Sequence, residues 1–208
     1  MTKQDKKIIR VVPRSNPRLS ASTQRGFTLV ELLVSIFIIV LMSGIILANY
    51  RQSGQQFALQ RSANKLAQDI RRAQQMAMGA VECPVANCCG VATPTVPPRY
   101  GVQFINSSPD YYSYIIFADC NDNGKYEPSS NLVETINFER GVRISDLSIG
   151  DPPASKTQLY ITFKPPDPTI DMRTPADETS TIARIKLINP NNQTKTISVN
   201  SAGLIEIQ

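Results

Sequence analysis

The chain has 208 residues, a formal net charge of +5 and no His. The charge is uneven, because residues 1–26 carry seven Lys or Arg and one acid, whereas residues 81–208 carry 10 Lys or Arg and 14 Asp or Glu. The C-terminal part is therefore net acidic, which argues against a nucleic-acid-binding domain. Without His, and with no Ser or Thr beside an identifiable base, the sequence predicts that the protein is not an enzyme.

The first predicted segment is a basic leader over residues 1–26, which contains Pro13 and Pro17. The positive-inside tendency keeps such a segment in the cytoplasm and sends the C-terminal bulk across the membrane. A secretory signal places small residues after its apolar core, but here the small residue, Gly26, comes before it. A peptidase that cuts the Gly26/Phe27 bond would remove only the leader. The basic residues of the leader are Lys3, Lys6, Lys7, Arg10, Arg14, Arg18 and Arg25.

An apolar segment over residues 27–48 follows the leader and has the length of a membrane-spanning helix, roughly 20 residues. Its only charge is Glu31, one turn inside the membrane boundary. A carboxylate costs about 2.5 to 3.5 kcal/mol at the bilayer centre and less near the boundary, so insertion remains favourable. One interpretation of Glu31 is that it complements the positive end of the helix dipole.

The stretch RGFTLVELLV, residues 25–34, resembles the type III signal of type IV pilins and pseudopilins. The resemblance implies that prepilin peptidase cuts between Gly26 and Phe27, and that Phe27 becomes the N-methylated first residue of the mature chain. It also implies a second interpretation of Glu31, which would pair in a filament with the N-terminal ammonium of Phe27 on a neighbouring subunit. Buried charges are tolerated when paired and costly when one partner is removed.

The helix is predicted to continue to about Ala80, because apolar residues recur at alternating spacings of four and three. A helix from Phe27 to Ala80 would be on the order of 80 Å long at 1.5 Å per residue. Its apolar stripe is rich in Ala and too short for a coiled coil, so packing beneath a sheet is the favoured interpretation. The stretch LAQDIRRAQQMAM, residues 66–78, also resembles the helix end of GspH/FimT-type minor pseudopilins. The stripe consists of Leu59, Ala63, Leu66, Ile70, Ala73, Ala77 and Ala80.

Short β-type runs follow, separated by turn sequences such as SSPD, NDNG, GDPP and NPNN. They show no βαβ alternation, so the predicted fold class is α+β, with the long helix packed on a C-terminal antiparallel β-sheet or small β-sandwich over residues 81–208. Roughly 125 residues are enough for one domain with its own core. Residues 165–179 are rich in Pro and Asp and are predicted to form an exposed loop. The predicted strands are Tyr100 to Ile105, Tyr112 to Ala118, Val133 to Phe138, Val142 to Ser145, Leu159 to Lys164, Ile182 to Ile188, Thr194 to Val199 and Leu204 to Ile207.

Four cysteines, Cys83, Cys88, Cys89 and Cys120, fall in the part of the chain that is predicted to cross the membrane. Disulfides are expected there if the compartment is oxidising. Four cysteines allow three pairings, and a bond between the adjacent Cys88 and Cys89 would be strained. One short bond within CPVANCC and one long bond to Cys120 is the favoured arrangement. A zinc site and free thiols are the alternatives.

The stretch DCNDNGKYE, residues 119–127, resembles the first nine positions of an EF-type calcium loop. Oxygen ligands would come from Asp119, Asn121, Asn123 and Glu127. The closing acid of that motif is missing, because its twelfth position is Ser130. The alternative is a metal-free hairpin turned on Asn123 and Gly124, two residue types that tolerate positive φ. Calcium is the one cofactor that the sequence suggests.

These features predict a structural minor pilin or pseudopilin subunit that joins or primes a type IV pilus or a type II secretion pseudopilus. Its partners would be prepilin peptidase, other pilin subunits and an inner-membrane assembly platform. The precursor would span the inner membrane once, with the C-terminal domain outside the cytoplasm, and would then enter a periplasmic pseudopilus or an extracellular pilus. The alternative is a DNA-uptake receptor on such a filament. Leu204 stands where many such relatives have Arg, so nucleic acid is not expected as a partner.

Overall fold

The structure is a computed structural model that describes residues 26–85, 88–90, 95–127, 132–165 and 170–208, and the side chains of all of these except residues 48–52. The predicted leader, residues 1–25, lies outside the described residues. The chain divides into two compact units, Met1–Gly44 and Ile45–Gln208.

Helix α1 covers Leu29–Met78. Its N-terminal part, Leu29–Leu47, is long and apolar enough to cross a membrane. The helix begins two residues later than the sequence predicts and ends two residues earlier. Ala80 is the last residue of the predicted apolar stripe, but it is exposed. Its φ of 45° lies outside the range of a right-handed α-helix, so the helix ends before it. The amide of Gly79 still bonds to the Gln75 carbonyl, 2.8 Å away.

Within the described residues, the second unit forms two antiparallel sheets. One has six strands in the chain-number order 3-2-1-6-7-8, and the other has five in the order 11-10-9-4-5. The strands are β1 (Arg99–Ile105), β2 (Ser113–Asp119), β3 (Leu132–Asn137), β4 (Arg143–Ile149), β5 (Ala154–Lys156), β6 (Gln158–Phe163), β7 (Ile170–Arg173), β8 (Thr179–Ser180), β9 (Ile182–Ile188), β10 (Thr194–Asn200) and β11 (Ile205–Ile207). The predicted α+β class, with a long helix and antiparallel sheets, is confirmed.

Each of the eight predicted strands overlaps an observed one, but β5, β7 and β8 were not predicted. The prediction of one exposed loop over residues 165–179 is wrong, because β7 pairs with β6 from Tyr160↔Arg173 to Phe163↔Ile170. Ile170 and Met172 are buried. The run IDMR alternates apolar and polar residues as a half-buried strand does, but four residues between Pro- and Asp-rich flanks are too few to stand out.

One hydrophobic core joins the helix to both sheets. The predicted stripe of α1 lies in it from Leu59 to Ala77, and its small side chains let the sheets approach the helix backbone closely. Burying one large apolar side chain stabilises a fold by roughly 1.5 to 3 kcal/mol. The second unit buries several such side chains together, so it has a hydrophobic core of its own. The large, fully buried side chains include Leu66 and Ile70 of the helix, Phe104, Ile116, Ile161 and Phe163 of the six-stranded sheet, and Ile144 and Leu147 of the other sheet.

Candidate functional site

Helix α1 begins with a side-chain cap beside the predicted cleavage point. Thr28 precedes the first helical residue, and its Oγ1 accepts a hydrogen bond from the backbone N–H of Glu31 at 3.2 Å. The Leu32 N–H donates to the Thr28 carbonyl at 3.1 Å, the first bond of the helix. Thr at the N-cap with Glu three residues later is the sequence arrangement of a capping box. Thr28 was not singled out from the sequence, although T-x-x-E before an apolar run is the signal that would have found it.

The side chains of the apolar segment are exposed along its whole described length. Every residue from Gly26 to Leu47 is exposed, and Phe27 reaches 81 %. Within the described part of the chain, no ion pair involves Glu31. The hydroxyls of Ser35 and Ser43 donate to the carbonyls of Glu31 and Ile39, both at 2.7 Å, so these polar groups do not interrupt the apolar surface. Such a surface suits a cover of lipid or of other subunits.

All four cysteines are in disulfide bonds, Cys83 with Cys88 and Cys89 with Cys120. The Cα atoms are 6.1 Å apart in the first bond and 5.2 Å in the second. The first bond closes a short loop, and the second attaches the segment after α1 to the end of β2. Although Sγ atoms of Cys88, Cys89 and Cys120 lie within 4.8 Å of one another, sulfur atoms in disulfides are not the thiolates that bind zinc.

The carboxylate of Asp119 organises the 119–127 loop. Its Oδ1 accepts the backbone N–H of Asn123 at 3.3 Å, and its Oδ2 accepts that of Gly124 at 2.6 Å. The side chain is fully buried, and this burial raises the pKa of Asp119 above its ordinary value. Two residues of this loop have a positive φ, Asp122 (60°) and Gly124 (74°). The predicted turn is on Asn123 and Gly124, so Asp122 takes the place predicted for Asn123.

Cationic side chains surround the same loop. Arg99 contacts both Asp122 and Asp171, and Lys164 also pairs with Asp122. Lys164 and Arg99 hold the pKa of Asp122 below its ordinary value. The predicted calcium ligands are directed elsewhere, because the side-chain amides of Asn121 and Asn123 both donate to Glu127 Oε1, at 2.8 and 2.9 Å.

This donor arrangement does not fit a calcium ion. Calcium takes six to eight oxygen ligands at about 2.3 to 2.6 Å, and here the side chains of Asn121 and Asn123 are turned to Glu127, while Arg99 Nε lies 3.9 Å from Asp119 Oδ2. The positive charges that a metal would supply come instead from the side chains of Arg99 and Lys164.

Comparison with known proteins identifies the N-terminal segment. Residues 21–47 match the family model described as the prokaryotic N-terminal methylation motif. No curated protein and no solved structure matches the chain. The motif is typical of type IV pilins and pseudopilins and supports a type IV pilin-like subunit, and it favours a structural over a catalytic protein. It implies processing by prepilin peptidase and assembly with other pilins. With the apolar helix, it fits a precursor anchored in the inner membrane.

Proposed function

We propose that the chain is a minor pilin or pseudopilin subunit of the GspH/FimT-like type. Prepilin peptidase cuts it between Gly26 and Phe27, Phe27 is N-methylated, and the mature subunit joins or primes a type IV pilus or a type II secretion pseudopilus. Its other partners are pilin subunits and the inner-membrane assembly platform. The domain over residues 81–208 lies outside the cytoplasm, where an oxidising compartment suits two disulfides.

The observation that carries this proposal is an apolar helical segment, placed directly after a peptidase motif, that the described residues leave uncovered. Leu29–Leu47 is long and apolar enough to span a membrane, and none of it is buried by the described part of the chain. The C-terminal half of the same helix is amphipathic and buries its small-residue stripe in a separate core. A subunit that moves from lipid into a filament needs both halves of this helix. The N-terminal half exchanges lipid for neighbouring subunits, while the C-terminal half stays packed in the core of its domain.

The alternative role as a DNA-uptake receptor finds less support in the second unit. Residues 81–208 have a net charge of −4. Around the C-terminal hairpin, Leu204 is 54 % exposed. Arg184 donates to the Gly150 carbonyl at 2.8 Å, and Arg71 donates to the Ile205 carbonyl at 3.4 Å. These two positive groups thus serve internal contacts, which together with the net acidic charge favours a structural role over binding of a polyanion.

Intact-mass measurement of the membrane-extracted protein tests the processing step. We expect a mature chain that begins at N-methylated Phe27. The Gly26→Glu variant should remain uncut and anchored in the membrane, because the residue before the scissile bond is changed. Gly44→Ala is the matched control, since a Cβ at Gly44 meets nothing within 4 Å, and its processing should be normal. A mature protein that retains residues 3–25 would contradict the proposal.

A further inference from the structure

We propose that the loop Asp119–Glu127 is a cation-binding loop whose cation is the guanidinium of Arg99, so that the chain's own side chain does there what calcium does in loops of similar sequence. The inference rests on the geometry of the second unit alone. It stands whether or not the protein enters a filament.

Arg99 is held at the meeting point of three carboxylates from different elements. It is the first residue of β1 and pairs across the sheet with Asp119, the last residue of β2. Its Nε contacts Asp122 of the loop and lies 3.9 Å from Asp119 Oδ2, and its Nη1 donates to Asp171 Oδ2 of β7 at 2.9 Å. The Arg99 side chain is only 12 % exposed. A charge so far removed from water persists only when it is paired.

Among the described residues, each carboxylate around Arg99 already has a cationic neighbour. Lys164 also pairs with Asp122, and Arg173 pairs with Asp171, where the Arg173 Nε–Asp171 Oδ2 distance is 2.6 Å. Arg173 in turn lies 3.7 Å from Asp177. A divalent ion would enter beside a guanidinium at close range and would be repelled by it, since water screens like charges only weakly in a partly buried site.

The shape of the guanidinium explains why this residue is Arg. Its planar fork presents Nε to one carboxylate and Nη1 to another, so that one side chain joins the loop to β7. Gly124 brings the loop close enough for this, since a Cβ added there would lie 3.1 Å from Arg173 Cδ. A Lys ammonium is a single point charge and could not hold both carboxylates in the same geometry.

Thermal unfolding of the full-length protein in detergent, with and without calcium, tests the proposal. For wild type, the midpoint should be the same in about 5 mM calcium chloride as in a chelator. Arg99→Ala should lower the midpoint by roughly 5 to 10 °C, because it leaves the buried Asp119 carboxylate without its cationic neighbour and removes one cationic partner each from Asp122 and Asp171. Calcium at about 5 mM should recover part of that loss, because the vacated carboxylates resemble a weak extracellular calcium site.

Three further variants make the result specific. Arg99→Ala combined with Asp119→Asn should show no recovery by calcium, because a carboxylate of the cluster is lost. Arg99→Lys should lie between wild type and Arg99→Ala. Arg61→Ala removes an exposed arginine that pairs with Glu139, and neither its midpoint nor its calcium response should differ from wild type.

Two outcomes would overturn the proposal. A calcium-dependent rise in the wild-type midpoint would show that the native loop takes the metal despite Arg99, and this measurement does not require any variant to fold. A folded Arg99→Ala protein whose midpoint ignores calcium would show that the carboxylates do not form a cation site.

Discussion

Glu31 has two proposed roles, one within its own helix and one in contact with a neighbouring subunit. It stands at the third position of α1, where its backbone N–H is capped by Thr28 Oγ1. This position suits a carboxylate on helix-dipole grounds alone, a contribution of about 0.3 to 1 kcal/mol. Its side chain is exposed within the described part of the subunit. The proposed stronger role comes from a partner on another subunit, the ammonium of its Phe27.

The Glu31→Gln variant distinguishes the two roles. If the carboxylate pairs with that ammonium, its neutralisation leaves a buried positive charge alone, at about 3 to 5 kcal/mol for each broken pair. We expect normal removal of the leader, an equal or larger membrane fraction, and loss of co-purification with filament partners. Membrane insertion should improve because the apolar segment loses its only charge.

Two matched variants accompany Glu31→Gln. Thr28→Val removes the capping hydroxyl with little change in shape, and it should cost about 1 kcal/mol of helix stability without abolishing assembly. Glu31→Asp keeps the charge and should assemble better than Glu31→Gln. Incorporation of Glu31→Gln into filaments at the wild-type level would mean that the charge only complements its own helix.

At the scale of elements, a buried polar contact joins the helix to the six-stranded sheet. The hydroxyl of Tyr114 on β2 donates to Asp69 Oδ2 on α1 at 2.6 Å, and Lys65 lies 3.7 Å from the same oxygen. Tyr114 is 2 % exposed. Burial, followed by the hydrogen bond to Asp69, raises the pKa of Tyr114 far above its ordinary value. The folded state therefore stabilises the neutral, protonated form of the Tyr114 side chain.

The Tyr114→Phe variant should lower the free energy of unfolding by about 1 to 3 kcal/mol near neutral pH, because a buried carboxylate loses its donor. The folded-state pKa of Tyr114 is raised, so its contribution is complete below the unfolded pKa of about 10 and falls as pH rises above it, by about 1.4 kcal/mol per pH unit. Burial also raises the pKa of Tyr100, to about 12, which adds to the loss in wild type over the same range.

Urea unfolding of the full-length protein at about pH 8 and about pH 11 measures both effects. The difference between wild type and Tyr114→Phe should be largest at the lower pH and shrink at the higher one. Tyr112→Phe, at a tyrosine that is 46 % exposed, is the control at neutral pH and should leave stability within about 0.5 kcal/mol of wild type. A constant difference across this pH range would show that the Tyr114 phenol does not titrate with unfolding.

Elements with a strong period could be predicted, and contacts distant in sequence could not. The stripe from Leu59 to Ala77 repeats for five turns, and strand β9, Ile182–Ile188, has the predicted bounds. Strand β7 is four residues long, and it is defined by its pairing with β6 and β8 rather than by a local pattern. The Arg99–Asp171 contact spans 72 residues. It depends on β1 and β7 both flanking β6, an order that no local pattern contains.

At the scale of the whole molecule, the basic character of the chain belongs to a segment that the proposed processing removes. The full sequence has a net charge of +5, and the leader contributes +6 of it, so the side chains of the proposed mature protein sum to −1. Several basic side chains of the second unit are paired with acids, including Arg61 with Glu139 and Arg72 with Glu134. The positive field left to attract a polyanion is weak.

The proposed mature protein should therefore bind duplex DNA only weakly. By fluorescence anisotropy in detergent, we expect a dissociation constant above roughly 1 μM at physiological salt, and binding that disappears as salt rises, as for non-specific contacts. A variant that combines Leu204→Arg with Glu206→Arg is the matched comparison, because both positions are exposed on the C-terminal hairpin. It changes the net charge by +3 and should bind more tightly, with a steeper dependence on salt.

Submicromolar binding by the wild-type protein at physiological salt would favour the receptor role instead. If Arg184→Gln or Arg71→Gln then weakened that DNA binding, the DNA contact would lie near the hairpin. In the structure these two side chains donate hydrogen bonds to backbone carbonyls there.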